Sequence, residues 1–299
     1  MIKSLKELPQ LAKQKQVKTL AIAAAEDASV MNAIIKAKEL GLIAPIFIGN
    51  KQKIEAIASE FSIKISPSEI IHSEDEAKSC AIAVKMVSDG KAHILMKGMV
   101  QTATLLKQVV NKEFGLLSGK LLSHLALFES VYYHKIFGLT DAAMNIAPTL
   151  DEKASIVENA VEAFIKLGVE NPKVALLAAV EKVNPKMQAT TDAAILKIMN
   201  ERKQLAHCII DGPLALDNAI SREAAAQKGI SGPVAGDADI LVAPDINTGN
   251  AIYKCLPFLG GASCAAIITG SKAPIVLTSR ADSEETKFLS IALGVLTSK

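Results

Sequence analysis

The chain has 299 residues, half of them apolar and 21% charged, a composition suited to globular domains and a length suited to two of them. The net charge of +2 is spread along the chain, aromatics are 4% and tryptophan is absent, which argues against a nucleic-acid partner. No apolar stretch approaches the ~18 residues of a membrane span, and Cys80, Cys208, Cys255 and Cys264 form no C-x-x-C or zinc-ligand spacing, so a reduced, cytoplasmic protein with no metal and no membrane partner is expected.

The opening MIKSLKELPQLAKQKQ is too polar for a signal peptide and reads as a short surface helix. A buried strand follows at 18–25 (KTLAIAAA), then a helix at 27–40, a strand at 42–49 (LIAPIFIG) and helices at 51–60 and 74–88. AHILMKG (92–98) reads as a strand that hands over to a helix at 101–113. Proline and capping residues in AMNIAPTLDEKAS (143–155) mark a break, after which Thr149 or Asp151 starts a helix at 151–167. The pattern resumes with a strand at 174–180, a helix at 187–203, a strand at 206–212 and a helix at 217–228. It ends with strands at 239–244, 265–270 and 273–279 and helices at 249–259 and 284–296. The strands are continuously apolar, as in sheets covered on both faces.

Strand and helix alternating in this way predicts an α/β fold with largely parallel sheets. Two α/β domains are expected: residues 1–136 joined by 267–299, and residues 137–266. In such folds ligands bind where strand C-termini meet helix N-termini, because unpaired N–H groups and the helix dipole attract anions there. Four junctions concentrate Gly, Asn, Thr, Asp and a cation: KGMVQTAT (97–104), DGPLALDNA (211–219), APDINTGN (243–250) and TSRADSEE (278–285). The same residue types also turn and cap β–α loops without any ligand. The triphosphate loop, the G-x-G-x-x-G dinucleotide turn, H-E-x-x-H and G-x-S-x-G are all missing, and the five histidines have no metal-ligand spacing.

Several motifs in register, MKGMVQTATLLKQVV, LLSHLALFE, DAAMNIAPTL, DGPLALDNAIS, APDINTGN and TSRADS, resemble the phosphate acetyl/butyryltransferase family, and its butyryl-type members in particular. The resemblance covers essentially the whole chain. It implies the reaction acyl-CoA + phosphate ⇌ acyl phosphate + CoA, with coenzyme A as a substrate and no tightly bound cofactor. It further implies two domains like those of isocitrate/isopropylmalate dehydrogenases, an active site in the cleft between them, and a homo-oligomer. The family's Ser-Arg pair falls on Ser279 and Arg280, and its P-D-[IL]-N-[TA]-G-N turn on Pro244 to Asn250. An arginine of the acetyl-type enzymes is replaced by Lys107. An aspartate proposed there as a base is replaced by Thr286, preceded by Glu284 and Glu285.

Acyl transfer from phosphate to a thiol needs an anion site, oxyanion donors, a base and a seat for the CoA diphosphate. Arg280, one of only three arginines, suits the phosphate because a guanidinium can bind it bidentately. Ser279 and backbone N–H groups are oxyanion candidates. Asp245, Asn247, Thr248, Gly249 and Asn250 form one loop suited to CoA, and Lys97, Gly98, Gln101 and Thr102 another that suits the acyl phosphate. Asp282 serves either as a base or, with Glu285, as a helix cap, and Ser283 is a second candidate cap, so the base stays open. The alternatives are acetyl rather than butyryl transfer, a metal- and NAD-dependent decarboxylating dehydrogenase, for which three arginines are too few, and a non-catalytic CoA-ester-binding protein.

Overall fold

The computed structural model describes residues 2–279 and 281–299. Contacts divide the chain into a flanking unit, Lys6–Lys120 with Ala265–Lys299, and a central unit, Leu121–Cys264 with the N-terminal residues through Leu5.

The flanking unit begins with α1 (Leu8–Lys13), β1 (Lys18–Ala23), α2 (Ala28–Glu39), β2 (Ile43–Gly49), α3 (Lys51–Glu60), β3 (Ile70–His72), α4 (Glu76–Ser88), β4 (Ile94–Lys97) and α5 (Thr102–Val109). The central unit holds β5 (Ser123–Glu129), β6 (Phe137–Thr140), α6 (Leu150–Lys166), β7 (Lys173–Leu177), α7 (Gln188–Glu201), β8 (Ile209–Leu214), α8 (Leu216–Ile220), α9 (Arg222–Gln227), β9 (Ile240–Val242) and α10 (Ile246–Phe258). The chain then returns with β10 (Ser263–Thr269), β11 (Ile275–Val276) and α11 (Glu284–Thr297).

In the flanking unit the strands lie in the order β3-β2-β1-β4-β11-β10, and all neighbours are parallel except β10 and β11. In the central unit the order is β5-β6-β9-β7-β8, with only β5 and β6 antiparallel. Each unit is therefore a mixed α/β structure on a mostly parallel sheet. Among the described residues no helix is long and apolar enough to cross a membrane.

Side-chain caps set most of the helix starts. Asp27, Asn50, Asp75 and Asp245 each accept the N–H three residues on. Thr149 and Glu152 form a reciprocal capping box that starts α6. Helix α11 is apolar nearly all round, and every residue from Lys287 to Thr297 is buried. It packs on α1, α2 and β11, and fully burying each large apolar side chain there contributes roughly 1.5–3 kcal/mol. The N-terminal segment is correspondingly not a free surface helix, since Leu8 and Ala12 are buried.

The units divide the chain at 120/121 and 264/265, whereas the sequence pattern placed the breaks at 136/137 and 266/267. Strand β5 accounts for the first difference. It pairs with β6 through Ala126–Leu139, Leu127–Gly138 and Phe128–Phe137, a pairing no local pattern records. At its end, Glu129 accepts hydrogen bonds from Ser4 Oγ (2.9 Å) and Leu5 N (2.8 Å), which draws the N-terminus to the same unit. Strands β3, β5 and β6 were not anticipated. The helix expected at 217–228 is two short helices, because Ser221 is extended and its Oγ accepts from Ala224 N. The helix expected at 101–113 stops at Val109, and Asn111 Oδ1 takes Glu113 N–H (2.8 Å) to make a turn instead.

Candidate active site

In the flanking unit, β4 and β11 are parallel neighbours with Val276 beside Met96. The loops that follow these strands therefore leave the sheet at the same edge. Lys97 ends β4 and is buried at 6% exposure. Its ammonium donates to the carbonyls of Gly98 (3.1 Å) and Val100 (3.3 Å) and so holds the turn into α5. Gly98 lies against the preceding β1 loop so closely that a Cβ would sit 2.0 Å from Ala24 O. Only glycine fits there without moving backbone. Gln101 is the residue before α5 and makes no side-chain cap, and Thr102 is the first helical residue. Lys107 is exposed, a turn further along.

On the neighbouring junction Thr278 is buried and Ser279 is exposed. Arg280 lies outside the described residues. Asp282 accepts the Ser279 N–H on Oδ2 at 2.6 Å, and its own N–H donates to Ser279 O at 3.2 Å. The helix cap is Ser283, whose Oγ accepts from Thr286 N at 3.1 Å, so Asp282 is released from the capping role that the sequence allowed it. Glu285 pairs with Lys36 at 2.7 Å, and the hydroxyls of Thr286 and Ser283 lie 3.0 Å apart.

In the central unit Asp245 caps α10 and accepts from Thr248 N at 2.9 Å, and Thr248 Oγ1 lies 3.3 Å from both carboxylate oxygens. Gly249 is buried against the loop after β6, where a Cβ would meet Asp141 O at 2.2 Å. Asn250 Nδ2 donates to Ala142 O at 3.0 Å. Four of the five residues singled out in this turn therefore build it. Asn247 is its exposed member. The loop beneath is shaped by Asp141, 3% exposed, which accepts the N–H groups of Ala143 (2.8 Å), Met144 (2.9 Å) and Asn145 (3.2 Å). The DGPLALDNA junction is tied up in ion pairs: Asp211 with Lys197 (2.7 Å) and Asp217 with Lys228 (3.1 Å).

Several buried charged groups escaped the sequence reading, Asp141 and Lys287 among them. Asp141 was readable as a D-x-x-x-N turn before proline, and Lys287 as a cation at the start of an otherwise apolar helical run. Cys80 and Cys208 offer little nucleophile. Burial pushes Cys80 up to about 11, with help from Glu76 and Asp75 and a partial offset by Lys97, and burial does the same for Cys208. Both remain thiols near neutral pH. His124, wholly buried beside Tyr253, is shifted down by that burial and is kept neutral despite the attraction of Asp141.

The family model described as phosphate acetyl/butaryl transferase matches residues 4–295. A phosphate butyryltransferase of Clostridium acetobutylicum is 47% identical over 296 residues, 99% of this chain and 98% of that protein. A phosphate acetyltransferase of Thermotoga maritima is 43% identical over 98% of this chain and 99% of its own length. The crystal structure of a branched-chain phosphotransacylase from Enterococcus faecalis V583 superposes with a TM-score of 0.82 at 39% identity, covering 94% of this chain and 99% of that one. Likeness of this extent shows that the chain belongs to the phosphate acetyl/butyryltransferase family.

Proposed function

We propose that the protein catalyses reversible transfer of a short acyl chain between coenzyme A and inorganic phosphate. The observation that carries this reading is the 47% identity to a phosphate butyryltransferase over nearly the full length of both chains. Butyryl is the acyl group assigned first. The butyryl-type relative is more similar than the acetyl-type one, 47% against 43%, and Thr286 replaces the aspartate of the acetyl-type motif. Acetyl transfer is the second reading.

In this reading Arg280 grips the transferring phosphate, and Ser279 with neighbouring N–H groups meets the oxyanion. Lys97, Gly98, Gln101, Thr102 and Lys107 form the acyl-phosphate side. Asp245, Asn247, Thr248, Gly249 and Asn250 form the CoA side, with Asn247 as the direct contact and the other four as its frame. The thiolate of CoA attacks the acyl carbon in a ternary complex, a C–S bond forms, and the C–O bond to phosphate breaks. Coenzyme A is a substrate, not a resident cofactor. The two sets of loops belong, in this proposal, to one cleft between domains like those of isocitrate/isopropylmalate dehydrogenases, in a cytoplasmic homo-oligomer.

The test is phosphate-dependent release of CoA thiol from butyryl-, acetyl- and branched-chain acyl-CoA, compared as kcat/KM. Butyryl-CoA is expected to lead. A markedly better acetyl substrate reassigns the acyl group, and no phosphate-dependent release from any of them sinks the reading.

A further inference from the structure

Lys287 is 3% exposed, although its neighbours Phe288, Leu289, Ile291 and Leu293 make this a helix that a methionine would suit at least as well. Burying an ammonium is costly unless hydrogen bonds replace its water. Two do: Lys287 Nζ donates to Asp282 O at 2.5 Å and to Ser29 Oγ at 3.1 Å. The first bond reaches back to the residue whose carboxylate takes the Ser279 N–H. The second reaches the first turn of α2, on another element of the same unit. The chain of contacts thus runs from the start of α2 through a buried cation to Asp282 and on to Ser279.

We propose that Lys287 is a positioning residue for the stretch that carries Ser279 and Arg280, acting through its hydrogen bond to Asp282 O. This rests on the acyltransferase reading for its catalytic consequence, but not for its structural one. Ser279 and Asp282 hold each other in both directions, and the pair is exposed on the Ser279 side. Lys287 ties it to the buried body of α11 and to α2. The arrangement parallels Lys97, whose buried ammonium likewise binds the carbonyls of its own turn on the adjacent strand.

Two measurements test it on the full chain with Lys287→Met, Lys287→Gln and Lys287→Arg. Hydrogen–deuterium exchange over 278–286 is expected to speed up about tenfold in the Met variant, the loss of one charge-assisted bond, with β4 and the end of α11 unchanged. In the enzyme assay the Met variant is expected to raise KM for phosphate about tenfold while kcat stays within about threefold. The Gln variant, which keeps a donor, is expected to recover part of both effects. Unchanged exchange in the Met variant overturns the proposal, as do wild-type KM and kcat. If the Met variant does not fold, the Gln and Arg pair decides by the same criteria. A wild type silent toward every acyl-CoA sinks the functional reading, and the exchange result still decides the positioning.

Discussion

The residues around Arg280 in TSRADSEE have separate structural tasks. Ser283 caps the helix, Asp282 closes onto Ser279, and Glu285 meets Lys36 at the surface. Arg280 remains the residue whose chemistry suits a phosphate. Arg280→Ala is expected to lower kcat/KM by about a hundredfold or more, the scale of losing a donor aimed at developing charge, with the thermal midpoint nearly unchanged. Steady-state kinetics beside a melting curve checks both halves, and wild-type turnover in the variant removes the phosphate role. Lys97 and Lys287 carry a second point at this scale. Each donates to backbone carbonyl oxygen from a buried position, and so each holds the shape of the loop beside it.

At the scale of elements, the start of α10 shows why a motif read as ligand-binding is also architecture. The helix rests on the loop after β6 through Gly249, and Asn250 locks it to Ala142 O. Gly249→Ala places a methyl 2.2 Å from Asp141 O, so the helix or the loop must retreat. Overpacking of this kind costs about 1–3 kcal/mol, and a lower urea midpoint is the expected result. An unchanged midpoint shows that the loop yields freely. The junctions and most helices were legible because capping and apolar periodicity are local properties. The unread strands β5 and β6 lie in a stretch without a clear period and are defined by each other.

Across the molecule, charge is organised as well as packing. In the central unit Asp237 is shared by Lys173, by Lys135 (3.1 Å), by His134 (2.8 Å) and by Arg222 (3.3 Å), which ties β7 and α9 to the segment before β6. Burial alone raises its pKa, but the bonds from Lys173, Lys135 and His134 outweigh that and hold the carboxyl well below the usual range. A folded pKa below the unfolded value of ~3.9 means that the stabilisation is full above that pH and fades as pH falls toward the folded value. Wild type is therefore expected to exceed Asp237→Asn in urea midpoint at neutral pH, with the gap narrowing below pH ~4. A gap independent of pH contradicts the ion-pair account.

From the sequence alone came the α/β class, the positions of the candidate loops and, through motifs in register, the family. These depend on patterns contained within a few turns of chain. Tertiary structure decided the rest: that β5 pairs with β6, that Ser283 rather than Asp282 caps the last helix, that Asp245, Thr248, Gly249 and Asn250 build their turn, and that Lys287 lies beneath Asp282. Each of these is settled by which partner reaches a group first in space, and partners such as Ser29 and Lys287 are separated by 258 residues along the chain.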